Sequence, residues 1–137
     1  MGIGVSLSNL ASSVRKEGGM GVISAAMPGF NEPDFETNSL EANIRALKKG
    51  NSKKPNEVKR GLLGVNIMVA SRNYESYVKA SVEAGADAII SGAGLPLDLP
   101  KYAEGKIMLA PIVSSARHVD CCVVYGINII IQHQILS

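Results

Sequence analysis

Few side chains in this sequence are placed to do chemistry, and those few stand at the ends or in the middle of apolar runs. Asn66 is the one polar residue in Leu62 to Val69, Leu-Leu-Gly-Val-Asn-Ile-Met-Val. An amide left unpaired in such a run costs about 1–3 kcal/mol, so a partner is expected, either backbone or ligand. The side chain carries a donor and an acceptor together, the combination that the edge of a flat heterocycle requires. Ser91 ends a second run, Ala88-Ile-Ile90, and Gly92-Ala-Gly94 follows it. These glycines read either as a tight turn with positive φ or as a close approach of backbone to a flat ligand. They are not a dinucleotide fingerprint, because its third glycine would fall at Leu97; Gly2 and Gly4 fail in the same way at Leu7. Ser114 and Ser115 end a third run, where a hydroxyl caps the next helix or touches a ligand.

The remaining reactive residue types form no constellation. His118 and His133 have no Ser or Cys nucleophile at a recognisable spacing and read as lone surface histidines. Cys121 and Cys122 are adjacent, which suits neither a disulfide framework nor a zinc site and predicts a reducing, cytoplasmic setting. Seven of the fourteen Lys and Arg residues fall between Arg45 and Arg60 with no aromatic among them. That stretch therefore reads as a solvated helix end and loop rather than a nucleic-acid surface.

The elements that must position these groups follow from periodicity. Leu7, Leu10, Ala11 and Val14 predict a helix that stops at Gly18-Gly19, and the unalternating run Met20 to Ala26 predicts a strand covered on both faces. A second helix carries the stripe Leu40, Ile44 and Leu47, with Asn38 and Glu41 as a capping box and Gly50 at its end. Strand 62–69 follows, and then a helix capped by Asn73, carrying Tyr74, Val78 and Val82 and closed by Gly85. Short strands at 88–90 and 107–113 complete the alternation. Repeated strand-helix units imply parallel strands with right-handed crossovers, hence an α/β fold. Periodicity alone does not choose between a doubly wound sheet and an eight-stranded barrel. In both, functional groups gather at the strands' carboxyl ends.

Composition bounds the partners. The chain has 137 residues, 46% of them hydrophobic and 19% charged, enough apolar material for one core. A net charge of +2 and 4% aromatics argue against a polyanionic partner, so neither nucleic acid nor membrane is expected. No signal peptide or continuous apolar span is present in the sequence as it stands.

Five segments, taken in order, resemble the nitronate monooxygenases, formerly 2-nitropropane dioxygenases. They are Met1-Gly-Ile-Gly-Val-Ser-Leu-Ser-Asn-Leu-Ala, Glu17-Gly-Gly-Met-Gly-Val-Ile-Ser, Gly64-Val-Asn-Ile-Met-Val-Ala, Ala86-Asp-Ala-Ile-Ile-Ser-Gly-Ala-Gly-Leu-Pro and Leu109-Ala-Pro-Ile-Val-Ser-Ser-Ala-Arg. Flavin-dependent enoyl-acyl-carrier-protein reductases share most of these motifs. The resemblance implies an FMN-binding (β/α)8 barrel that oxidises alkyl nitronates or nitroalkanes with O₂. It places Met1, Gly2 and Asn66 against FMN, and Ser91 and Gly92 near the substrate. It covers 1–117, the N-terminal half of the barrel, lacking most of the family's first strand and strands six to eight, where a whole barrel takes about 250 residues. Residues 118–137 are an unmatched tail, read as an out-of-frame or replaced end, with a natural shorter variant as the alternative. The family's catalytic histidine, in a Gly-Gly-His segment, and its phosphate-binding glycines have no counterpart here, so no catalytic residue is assigned. A partial barrel further predicts self-association and weak retention of FMN, with a non-catalytic fragment as the alternative to an enzyme.

Overall fold

The computed structural model describes residues 4–52, 61–124, 127 and 131–132. Strands β1 (Gly21–Ser24), β2 (Leu63–Met68), β3 (Ala88–Gly92), β4 (Met108–Val113) and β5 (Ile131–Gln132) alternate with helices α1 (Ser8–Lys16), α2 (Ser39–Ser52), α3 (Tyr74–Glu83), α4 (Leu99–Ala103) and α5 (Ala116–Val124). Every strand pair is parallel, and the spatial order is the chain order, β1-β2-β3-β4-β5.

Side-chain alternation along the strands decides what periodicity left open. Ile23, Leu63, Val65, Ile67 and Ile89 point to one face and form a single core with Ala11 of α1, Leu47 of α2, Tyr77 and Val78 of α3, and Leu99 and Ala103 of α4. A satellite cluster joins Val113 of β4 to Cys122 of α5 and to Ile127 on that same side. The helices therefore line one face of a sheet whose strands never reverse order. A doubly wound sheet carries helices on both faces; an arc of a (β/α)8 barrel carries them on the outside only. The fold is that of a partial (β/α)8 barrel.

Close contacts hold this outer layer. A Cβ on Gly29 would lie 2.4 Å from the backbone of Ala42, so only glycine lets the β1–α2 loop lie against α2. There the Gly29 N–H donates to Asn43 Oδ1 (2.9 Å), and Asn43 Nδ2 donates to the Tyr77 hydroxyl (3.1 Å). One buried amide thus ties loop, α2 and α3 together. At the amino ends of the strands, buried Arg15 donates to the Gly61 carbonyl (3.2 Å) and faces Asp87, whose carboxylate accepts the Leu63 N–H at 2.7 Å.

Several expectations needed correction. α2 runs two residues past Gly50, and α4 was not anticipated. Asn73 stands at the N-cap of α3 without a side-chain capping bond. The described part of the basic run is the exposed end of α2 that its composition implied, with ion pairs added: Arg45 pairs with Asp34 and Glu32, Lys49 with Glu32 and Lys48 with Glu83, while 53–60 lies outside the described residues. Arg117, where the family resemblance ends, lies in the first turn of α5.

Candidate functional site

The face opposite the helices has its own pattern. Strand register puts Val22, Gly64, Ala88 and Met108 in one row and Ser24, Asn66, Ile90 and Ala110 in the next; Met68 and Gly92 begin a third, with Ile112 beside them. In a barrel this is the inner face, and its last row lies at the carboxyl ends, where barrel enzymes build their sites. Asn66 is the polar centre of this face. It is half-buried, and its side chain makes no hydrogen bond among the described residues, although its backbone carbonyl accepts the Ala25 N–H at 2.9 Å. The expected protein partner is therefore not found there. Partial exposure relieves the desolvation that made a partner necessary and leaves both amide groups free for a ligand. Ser24, its neighbour in the row, is buried and accepts the Ala26 N–H at 3.2 Å.

Ser91 is placed differently. Its side chain points outward, donating to the Ile67 carbonyl (3.1 Å) and sharing a 2.8 Å hydrogen bond with Tyr74 of α3. Burial pushes the Tyr74 phenol up, with the Ser91 hydrogen bond acting against it. The Ser91 hydroxyl is thus engaged in the helix layer, and Asn66 and Ser91 sit on opposite faces of the sheet. Gly92 does face inward, where a Cβ would come within 3.2 Å of Ile112. The turn that follows has the positive φ the glycines implied, with Ala93 at 56° and Gly94 at 137°. A Cβ on Gly94 would also press to 3.0 Å on Val69. Met1 and Gly2 lie outside the described residues.

A cavity of about 510 Å³ opens beside this turn, lined by Ala93, Gly94, Leu95, Ile112, Val113, Ser114 and His118. His118, read from sequence as a surface residue, is half-buried and lines the cavity. The Ser115 hydroxyl accepts its N–H at 3.3 Å, so this serine caps the start of α5 and sets His118 in the first turn. The overlooked signal was position: a residue four or five past a strand's end, in the first turn of the following helix, stands at the carboxyl rim of the sheet. His133 lies outside the described residues. Among the described residues no His, Cys, Asp and Glu cluster could hold a metal ion, and no helix is long and apolar enough to cross a membrane.

No protein-family profile matches the chain, and no curated protein matches it. Solved structures do. FabK from Thermotoga maritima aligns with a TM-score of 0.68 at 21% identity, covering 91% of this chain and 36% of that one. A single-substitution mutant of the same protein aligns at 0.69 and 21%, covering 91% and 38%. This chain thus spans a little over a third of the length of the structures it matches. Strand order, the one-sided helix layer and these alignments agree that it is a run of consecutive βα units from a (β/α)8 barrel.

Proposed function

We propose that the chain is part of an FMN-dependent oxidoreductase, and that its reaction is the oxidation of alkyl nitronates with O₂ to carbonyl compounds and nitrite. The observation that carries this reading is Asn66: an amide with no partner among the described residues, on an inner face whose other polar side chain, Ser24, already accepts the Ala26 N–H, one row below the carboxyl ends. An isoalloxazine edge carries both acceptors and a donor, so the residue fits the ring. Met1, Gly2 and the Gly92 backbone would lie against the same ligand, with Ser91 acting only through its main chain. The flavin, when bound, supplies the redox and oxygen chemistry. The chain's own part is to orient the ring through Asn66 and to exclude water with Ile90, Met68 and Ile112. His118 and Ser114 furnish polar groups at the cavity wall.

A second reading is favoured by the structural neighbours, since FabK is an enoyl-acyl-carrier-protein reductase. In that case NAD(P)H reduces a carbon–carbon double bond of a thioester at the same place. With the chain saturated with FMN, oxygen uptake on alkyl nitronate supports the first reading. Flavin-dependent NAD(P)H oxidation with crotonyl thioester, and no nitronate turnover, overturns it in favour of the second.

A further inference from the structure

The turn after β3 is held in a shape that its own residues do not favour. Ala93 takes a left-handed φ of 56°, which non-glycine residues avoid, and Gly94 follows at 137°. Both are exposed, so they have little packing of their own to impose that shape. Such a conformation persists only where the surroundings over-determine it. Its constraints lie in the residues on either side. Before the turn, the Gly92 carbonyl accepts the Val69 N–H at 2.9 Å, and Ser91 anchors the strand end from behind. The Ser91 hydroxyl has one proton and gives it to the Ile67 carbonyl of β2, so its oxygen accepts from the Tyr74 phenol at 2.8 Å. After the turn the chain enters α4, where the Tyr102 ring stands edge-on to the Tyr74 ring with 6.3 Å between centroids. Tyr74, the first residue of α3, thus touches both the strand that enters the turn and the helix that leaves it.

We propose that Tyr74 is a positioning residue: through Ser91 and Tyr102 it grips both ends of the turn Gly92-Ala93-Gly94 from the helix side of the sheet. It thereby sets the cavity wall formed by Ala93 and Gly94, and the inward Gly92 backbone that a flavin would meet. The brace stands on these contacts alone; its bearing on a ligand rests on the flavin reading above. The two grips differ in kind. The hydrogen bond is directional and fixes where β3 ends, whereas the ring contact tolerates sliding and only limits how far α4 can move. The donor is constant at neutral pH, because burial raises the phenol's pKa and keeps its proton in place. Ser91 therefore serves the rim with its hydroxyl turned away from it.

Native-state hydrogen exchange of the flavin-free chain tests the brace at the Val69 amide. That amide bonds to the Gly92 carbonyl and its side chain lies under Gly94, so it opens when the turn relaxes. Tyr74→Phe keeps the ring and loses the donor; Ser91→Ala loses the acceptor. Each should speed exchange at Val69 at least about fivefold more than at Val65, which is wholly buried in the middle of β2. The double variant should fall short of the product of the two single effects, because both remove the same bond. Tyr77→Phe is the control. It removes a hydroxyl from the same helix, the one bonded to Asn43, and should change the two amides equally. An FMN titration into the millimolar range reads the ligand side: the dissociation constant should rise at least about threefold in Tyr74→Phe and hold in Tyr77→Phe. Equal acceleration at Val69 and Val65 in Tyr74→Phe and Ser91→Ala overturns the brace. Acceleration confined to Val69 with unchanged FMN affinity overturns its bearing on the ligand. If the wild-type chain binds no FMN at all, the flavin reading fails, and exchange still decides the brace.

Discussion

Asn66 and Ser91, polar residues of two neighbouring apolar strands, show how similar sequence settings can hide opposite roles. Asn66 faces the open side without a partner among the described residues, so Asn66→Val should leave stability within about 0.5 kcal/mol or raise it, because no protein hydrogen bond is lost. Urea denaturation measures that. The same variant should weaken FMN binding at least tenfold in a flavin-fluorescence titration if the amide holds the ring, since a hydrogen bond to a ligand is worth about 1.4 kcal/mol or more. Tyr74, behind Ser91, makes the converse case. Burial raises its phenol above the ordinary value, so folded protein keeps a proton that the unfolded chain has lost. Its contribution is therefore complete below the unfolded-state pKa of about 10 and is lost as pH rises through the folded value. Tyr74→Phe should cost about 0.5–1.5 kcal/mol at pH 7 and flatten that alkaline loss, seen by comparing urea midpoints from pH 8 to 11.

Among the elements, the β1–α2 loop depends on one side chain. Asn43→Ala strands the Gly29 N–H and the Tyr77 hydroxyl together, and should cost about 2–4 kcal/mol against under about 0.5 for a change at exposed Glu36. Thermal melts of the two variants check this. Strands β1 to β4 and helices α1 to α3 were legible in the sequence, the strands as unbroken apolar runs and the helices as periodic stripes ending near Gly18, Gly50 and Gly85; even so, α2 overran its glycine, and β5 was not anticipated. The five-residue α4 was not legible, since Leu99-Pro-Lys-Tyr-Ala is too short to show a period. The site was legible only in part. A polar residue in an apolar run marked Asn66, but no pattern says which face a strand residue takes, so Ser91 looked equivalent until the register set its side chain among the helices. His118 was missed because its importance comes from its place on the rim rather than from any neighbouring motif.

For the molecule as a whole, the ring contacts inferred for flavin outnumber any phosphate contacts that the sequence motifs supply. Phosphate binding by helix N-termini and glycine amides carries much of a flavin nucleotide's affinity, so the chain alone should hold FMN with a dissociation constant near the millimolar range. It should leave a desalting column colourless. A yellow, stoichiometric preparation would contradict that expectation. The strict neighbour order β1-β2-β3-β4-β5 has another consequence. Among the described residues each strand pairs only with the strands before and after it, so the sheet behaves as a short one-dimensional array: opening can begin at one end without breaking the rest. Native-state hydrogen exchange should then run as a gradient, fastest in β5 and α5, slower in β4, and slowest in β2 and β3, where Val65, Ile67 and Ile89 are wholly buried. The protein would come apart as a frayed ribbon, one unit at a time.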